Sequence, residues 1–288
     1  MTAAIFGTVL VVLAVLVIVL VSVTGGKTTA SGHSFGMQPA PATVVNAITH
    51  VSPAAFAEAG ASPTQDGPLT GAITALKKQP PLTSGGKPLI VYDGSNWCPD
   101  CGATRWPFVV ALSRFGTFRG LKITISSATD DPASIHTLSF YGSSYKSPYI
   151  AFLPNEQCSD VPSSSTSTAV EDCNGFEPLS PVSKKANEIF AKYDAPPYVS
   201  STDEDTIPFV DFANKFEEDG ALMDPTVLSG FTHVQIAESF ANPVASPAQT
   251  ILVVANYYTA LICSLTKDQP GSVCKMPVVR QAAASLKL

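Results

Sequence analysis

Residues 88–101 read Pro-Leu-Ile-Val-Tyr-Asp-Gly-Ser-Asn-Trp-Cys-Pro-Asp-Cys, and the interpretation of the whole chain starts from them. Pro88–Tyr92 is an apolar run of the length of a buried β-strand. Cys98 and Cys101 follow it, and residues 102–115 carry apolar side chains at helical spacing. The stretch therefore predicts a strand, a Cys-Pro-Asp-Cys turn and a helix whose first residues hold both sulfur atoms.

The position of the two cysteines indicates redox chemistry. A cysteine at a helix N-terminus lies near unpaired backbone N–H groups and the positive end of the helix dipole. Both favour the thiolate, which is the form that attacks a disulfide. We therefore interpret Cys98 as the nucleophile and Cys101 as the thiol that resolves the mixed disulfide. Asp100, an anion beside the sulfurs, would partly oppose the helix dipole.

Two other interpretations of this pair stay open, half of a zinc site and a purely structural disulfide. Structural zinc usually needs a second Cys-x-x-Cys or a pair of histidines. The other cysteines have wider spacings, and the histidines are scattered singly at His33, His50, His136 and His233. We favour the redox interpretation and predict no metal and no other cofactor.

The remaining four cysteines form two pairs of neighbours in sequence. Cys158 and Cys173 bracket a polar, Ser/Thr-rich stretch, and closing a loop of this size removes about 3 kcal/mol of chain entropy from the unfolded state. Cys263 and Cys274 lie between two apolar helical runs. We expect two structural disulfides. Because such bonds persist in oxidising compartments, they place the body of the protein outside the cytoplasm.

The first 25 residues predict a membrane anchor. Residues 3–24 are apolar and uncharged, and roughly 20 such residues span the hydrocarbon core of a bilayer. A cleaved signal peptide remains an alternative, although its apolar core is usually shorter and follows a basic stretch. Lys27, which flanks the segment, would favour the opposite orientation, so the orientation depends on the cysteines. We expect a single-pass protein of the cell membrane with an extracytoplasmic body.

The rest of the chain predicts one α/β domain. Residues 26–43 are rich in Gly, Ser, Thr and Pro and are expected to form a flexible tether, with the domain at 44–288. The predicted helices are 53–59, 69–78, 102–115 (kinked at Pro107), 182–193, 225–228, 233–240, 248–265 and 278–286. The predicted strands are 88–92, 121–126, 135–141, 149–153, 205–212 and 215–222. The apolar run at 248–265 contains several polar residues, so we expect a buried helix and not a second membrane span.

Composition bounds the possible partners. Charged residues make up only 14% of the chain and the net charge is −6, with no cluster of Lys and Arg. Nucleic-acid binding needs such a cluster to displace counterions, so the sequence argues against it. The expected partners are exported protein substrates or a membrane redox partner.

The order of motifs resembles the thioredoxin superfamily. The residues that carry the resemblance are Trp97–Cys101, the helix proline Pro107 and the dipeptide Ile207-Pro208. The resemblance implies a thioredoxin-like central sheet, with an inserted β/loop segment and extra C-terminal helices. It also implies that Pro208 is cis and lies opposite Cys98.

Further site residues follow from the same resemblance. Substrate would bind along Trp97, Pro99 and the Ile207 backbone. A buried carboxylate assists proton transfer in thioredoxins, and Asp93 and Asp100 are the candidates here.

A closer resemblance is to an uncharacterised family of prokaryotic, membrane-anchored, thioredoxin-like proteins. It rests on the Cys-Pro-x-Cys motif, on Arg105-Trp106 and on Ser113–Phe118. This resemblance brings no substrate.

Two functions are therefore carried forward. The first is an extracytoplasmic thiol–disulfide oxidoreductase, and the second is a redox-inert binding module of the cell envelope. A metal-delivery role is weaker, because no histidine lies near the dithiol in sequence.

Overall fold

The computed structural model describes residues 36–62, 69 and 72–288, which form a mixed α/β structure. The predicted anchor at 1–25 lies outside these residues. The α-helices are α1 Ala42–Thr49, α2 Pro53–Ala59, α3 Pro99–Leu112, α4 Thr168–Glu171, α5 Lys184–Tyr193, α6 His233–Ser239, α7 Ala248–Leu265, α8 Gly271–Cys274 and α9 Pro277–Ser285, with a 3₁₀ helix at Pro225–Leu228. The strands are β1 Gln38–Pro39, β2 Ala72–Ala75, β3 Thr83–Ser84, β4 Lys87–Gly94, β5 Thr117–Arg119, β6 Lys122–Ile125, β7 His136–Ser139, β8 Ser144–Lys146, β9 Ala151–Glu156, β10 Cys158–Pro162, β11 Phe176–Pro178, β12 Phe209–Phe212 and β13 Phe216–Asp219.

The central sheet is built around β4. Its order is β2-β13-β12-β4, and the far edge of β4 pairs with β3 at its start and with β9 along the rest. Strands β4 and β9 are parallel, whereas β12 is antiparallel to β4 and forms a hairpin with β13. The adjacent strand-like runs 205–212 and 215–222 predict a hairpin, which this arrangement confirms. It also places the residues after β4 and before β12 at the same end of the sheet.

The two faces of the sheet have separate cores, because alternate residues of a strand point to opposite sides. Ile90 and Tyr92 belong to the larger core, which includes α3 and α7, while Leu89 and Val91 pack with α5. Helix α3 is buried from Cys101 to Leu112, so it lies inside the protein and not on its surface.

Helix α7 is long and apolar enough to cross a membrane by length and composition, but 83% of it is buried inside the protein. It packs against α3 and α9 as an interior helix, in agreement with the sequence-based expectation. Burial on all sides explains its composition, because a helix with no face in water needs no polar stripe.

Three local predictions were wrong. A helix is predicted over 69–78, but Ala72–Ala75 within it is an edge strand whose backbone pairs with β13. A short apolar run does not distinguish the helical period of 3.6 residues from the strand period of two, so pairing with a neighbouring strand decides which structure forms. The segment 142–148, for which the sequence predicts only a turn between two strands, contains β8, which pairs with β5. Part of the predicted tether is folded, because β1 pairs with β6 and α1 begins at Ala42.

Candidate active site

The two cysteines of the motif lie at the start of α3, as the sequence predicts. Cys98 is the N-cap residue, and its Sγ accepts a hydrogen bond from the Cys101 backbone N–H at 3.2 Å. Pro99 takes the first helical position, where its missing N–H costs no helical hydrogen bond. Both cysteines are free thiols, and Cys98 is only 4% exposed while Cys101 is fully buried. The site is therefore a reduced dithiol at the edge of the core.

Pro208 faces this dithiol from the neighbouring strand. The Ile207–Pro208 bond is cis, as the resemblance implied, and the Cys98 Sγ lies 3.7 Å from the Ile207 carbonyl oxygen, to which its S–H can donate. The register of β12 on β4 explains why Ile207 lies close to Cys98. Phe209 pairs with Asp93, so the residues that precede Phe209 extend beyond the end of β4, where the dithiol follows.

Trp97 forms the wall of the site on the other side of Cys98. Its ring stacks on Phe176, with 5.8 Å between ring centroids and an angle of 5° between the planes. Phe176 begins β11, which pairs with β10 directly after the loop closed by the Cys158–Cys173 disulfide. The strand that follows the disulfide loop therefore supplies one of the two stacked rings beside the dithiol, a contact that sequence reasoning missed.

Asp93 does not face the dithiol. Its two carboxylate oxygens accept hydrogen bonds from the side-chain amides of Asn155 (2.9 Å) and Gln157 (2.6 Å), and the Asn155 amide also donates to Asn187 of α5. Burial raises the pKa of Asp93 to about 7, although the two amide donors work in the opposite direction. The structure therefore places Asp93 on the α5 side of the sheet, away from Cys101.

Asp100 stays beside the sulfurs, in the first turn of α3 and partly buried. Burial raises its pKa, and the nearby carboxylates of Asp130 and Asp224 raise it further. Two acidic groups from separate loops thus meet Asp100 at the rim of the site, which gives this rim an acidic character.

The core side of the dithiol holds three residues that the sequence analysis did not assign to the site: Tyr92, Arg105 and Glu156. Arg105 and Glu156 are both completely buried and form a two-point ion pair, with Nε to Oε1 at 2.9 Å and Nη2 to Oε2 at 2.7 Å. Arg105 Nη2 also donates to the Ser95 carbonyl at 2.7 Å. The sequence feature that could have indicated this cluster is Arg105 itself, an arginine four residues after Cys101 in a largely apolar helix.

The two predicted disulfides are present. Cys158–Cys173 lies next to the site, because the Cys158 carbonyl accepts a hydrogen bond from the Asn96 backbone. Cys263–Cys274 joins the end of α7 to α8. Within the described part of the chain, no three His, Cys, Asp or Glu side chains are grouped as metal ligands.

Comparison with known proteins gives one match. The profile of a domain of unknown function, DUF929, matches residues 75–264, about two thirds of the chain. The matched region contains the dithiol, Pro208, the Arg105–Glu156 pair and both strands of the β12–β13 hairpin. Neither the curated proteins nor the solved structures gave a significant match.

Proposed function

We propose that this chain, which belongs to the DUF929 family, is a membrane-anchored thiol–disulfide oxidoreductase that works outside the cytoplasm. The observation that carries the proposal is the reduced Cys98–Cys101 pair at the N-terminus of α3, opposite cis-Pro208. A free, helix-capping dithiol beside two intact disulfides is the arrangement expected of cysteines used for exchange rather than for cross-linking.

The strand arrangement supports a thioredoxin-like scaffold as part of this proposal. The dithiol follows β4, which has a parallel neighbour, β9, on one side and the antiparallel β12–β13 hairpin on the other. Helices cover both faces of the sheet, α3 and α7 on one and α5 on the other. The inserted strands β5–β8 and the helices after α7 are additions to that scaffold.

The proposed reaction is two consecutive thiol–disulfide exchanges. The Cys98 thiolate attacks one sulfur of a substrate disulfide, forms a mixed disulfide and expels the other substrate sulfur as a thiolate. The Cys101 thiolate then attacks Cys98 Sγ, forms the Cys98–Cys101 disulfide and releases the second substrate sulfur. Two electrons pass from the dithiol to the substrate, and its two protons reach the substrate sulfurs through solvent. The reverse sequence oxidises a substrate dithiol.

The substrate chain would lie between Trp97 and Pro208. The partly exposed Trp97 ring, with the buried Phe176 ring stacked against it, offers an apolar surface on one side of Cys98, and the Ile207 backbone lies on the other. An extended segment can pair with exposed backbone groups in this position, while its side chains contact the aromatic rings. Substrates would be exported proteins or the dithiol of a membrane redox partner.

The location rests on two features of the sequence. Residues 3–24 are long and apolar enough for an anchor, and the two disulfides need an oxidising compartment to persist.

A trapping experiment with the full chain tests the redox proposal. The Cys101→Ser variant should accumulate a mixed disulfide with a disulfide-bonded protein substrate, because the resolving thiol is missing. The matched Cys98→Ser variant should accumulate none, because it lacks the nucleophile. Non-reducing electrophoresis reads both results. Full reductase activity in the Cys98→Ser variant would contradict the proposal.

The second candidate is a redox-inert binding module, and the 4% exposure of Cys98 favours it. A binding module would hold a partner on the Trp97–Phe176 surface without exchange. The same experiment separates the two functions, because a binding module forms no mixed disulfide in the Cys101→Ser variant and retains partner binding in the Cys98→Ser/Cys101→Ser double variant.

A further inference from the structure

The core side of Cys101 contains polar groups that the exchange reaction itself does not use. Tyr92 precedes the motif on β4, Arg105 lies one helical turn after Cys101 on α3, and Glu156 ends β9. All three side chains are buried. Burying a charged or polar group is costly unless it is paired, and clusters of this kind beside a reactive group are concentrated at functional sites.

Gly94 shows how close Tyr92 and Cys101 are. A Cβ atom added to this glycine would lie 2.4 Å from the Tyr92 hydroxyl oxygen and 3.0 Å from the Cys101 sulfur. The hydroxyl and the sulfur therefore converge on the same small space, which any side chain at position 94 would fill. The backbone of Gly94 is not left-handed, so room and not conformation accounts for the glycine.

The guanidinium group of Arg105 is hydrogen-bonded through two of its three nitrogen atoms and, within the described structure, not through the third. Nε and Nη2 are bound by Glu156 and the Ser95 carbonyl, whereas Nη1 is buried without a hydrogen-bond partner among the described residues. The Tyr92 hydroxyl is likewise buried and unpartnered within that part of the chain. The guanidinium carbon lies 5.8 Å from the centre of the Tyr92 ring. Two unused donors thus lie close together behind Cys101.

The chemistry of the second exchange gives these donors a use. Cys101 must lose its proton and become a thiolate while it is fully buried, and burial disfavours the charged form. Burial raises the pKa of Cys101 well above its ordinary value, and neighbouring Cys98 raises it further, whereas Arg105 lowers it. The ionisable groups around Cys101 are thus Cys98 and Arg105 on α3 and Tyr92 on β4, with Glu156 of β9 behind Arg105.

We propose that Tyr92 and Arg105, with Glu156 holding Arg105 in place, form an anion-stabilising site for the Cys101 thiolate. This inference rests on the proposed function. The Tyr92 hydroxyl and Arg105 Nη1 act on the thiolate that forms when Cys101 gives its proton to solvent, just before it attacks Cys98 Sγ. Attack breaks the bond between Cys98 and the substrate sulfur, which leaves as a thiolate. Tyr92 and Arg105 thus act on the reacting sulfur, and Glu156 is the positioning residue. Together they accelerate the resolving step without changing the first attack.

The reaction of the full chain with 5,5′-dithiobis(2-nitrobenzoate) separates the two steps. Each reacting thiol releases one coloured thiolate. The first release reports attack by Cys98 and depends on reagent concentration, while the second reports resolution by Cys101 and does not.

In Tyr92→Phe the second phase should slow about tenfold at pH 7, and its pH midpoint should rise by about one unit, because a hydrogen bond to a charged group is lost. The first phase should stay unchanged. Tyr145→Phe is the matched control, because it removes a partly buried tyrosine hydroxyl that donates to the Leu112 carbonyl at the opposite end of α3.

A second variant removes the charges without leaving one unpaired. Arg105→Met combined with Glu156→Met should slow the second phase and raise its pH midpoint in the same way. An unchanged second phase and pH midpoint in both Tyr92→Phe and this double variant would overturn the inference while leaving the redox function intact. A wild-type chain that shows no second release would instead contradict the redox function.

Discussion

Tyr92 and Asp93 are neighbours on β4, yet they belong to different environments. Tyr92 points to the α3 side, where the dithiol lies and where a buried arginine is paired with a buried glutamate. Asp93 points to the α5 side, where Asp194, Asp211 and Glu217 are also buried. Next to the dithiol the buried charges therefore form an ion pair, while Glu218, which is also buried on this side, accepts a hydrogen bond from the Tyr258 hydroxyl. The α5 side holds carboxyl groups together without a buried cation among the described residues.

The comparison shows two ways of keeping ionisable groups inside a protein. At the ion pair the charges persist, because Glu156 raises the pKa of Arg105 against the lowering effect of burial, whereas burial raises the pKa of Glu218 well above its ordinary value. On the α5 side burial raises the pKa of Asp93, Asp194, Asp211 and Glu217 to about 7, so protonation and not pairing relieves the charge. A fixed charge close to the sulfurs suits thiolate chemistry, whereas the α5 side responds to pH.

The largest effect is expected from breaking the ion pair. Glu156→Gln leaves the Arg105 guanidinium buried without a counter-charge and weakens the bond to the Phe140 backbone N–H. Loss of one partner of a buried pair costs about 3–5 kcal/mol. Urea denaturation at pH 7 measures this loss, and Glu177→Gln, which changes an exposed glutamate on β11, is the control. A loss below about 1 kcal/mol would mean that the pair does not hold the α3 side together.

An intermediate effect is expected from pH on the α5 side. A carboxyl group whose pKa is raised on folding stabilises the protein below its unfolded pKa of about 4, and this contribution is lost as the pH rises through about 7. Wild-type stability should therefore fall between about pH 4 and pH 7, so that it is lower at pH 8 than at pH 5.

Glu217→Gln should flatten that fall by about 1–2 kcal/mol, because it removes one of the groups that must ionise. Burial is the main cause of the raised pKa of Glu217. The carboxyl groups of Asp219, Asp194 and Asp211 raise this pKa further, and a hydrogen bond with the Thr74 side chain lowers it. Denaturation curves at pH 5 and pH 8 test this, and an unchanged slope in the variant would contradict it.

The smallest effect on redox chemistry is expected from Asp93→Asn. Because Asp93 lies on the α5 side, both phases of the thiol reaction should keep their wild-type rates and pH midpoints. The amides of Asn155 and Gln157 can reorient to bond the new side chain. If the rate and pH midpoint of the second phase instead changed as much as in Tyr92→Phe, Asp93 would be the residue that assists proton transfer.

The outcome for the site follows from how far apart its parts are in sequence. The strand, the dithiol and its helix are contiguous, and each disulfide joins cysteines 15 or 11 residues apart, so local patterns were sufficient. Asp93 was the candidate because it is the carboxylate nearest to the motif in sequence. Distance in sequence does not indicate which face of β4 packs against α3, and Tyr92, the neighbour of Asp93, was therefore overlooked.

The sequence by itself determined the Cys98–Cys101 dithiol at a helix start, the two structural disulfides and the buried character of α7. Each depends on short spacings or on composition. Tertiary structure alone decided that Arg105 meets Glu156, 51 residues away, that Phe176 stacks on Trp97, and that Tyr92 and not Asp93 lies beside Cys101. The physical reason is that strand pairing and the packing of a helix on one face of a sheet fix these contacts, and a single residue's shift in register would exchange the two faces.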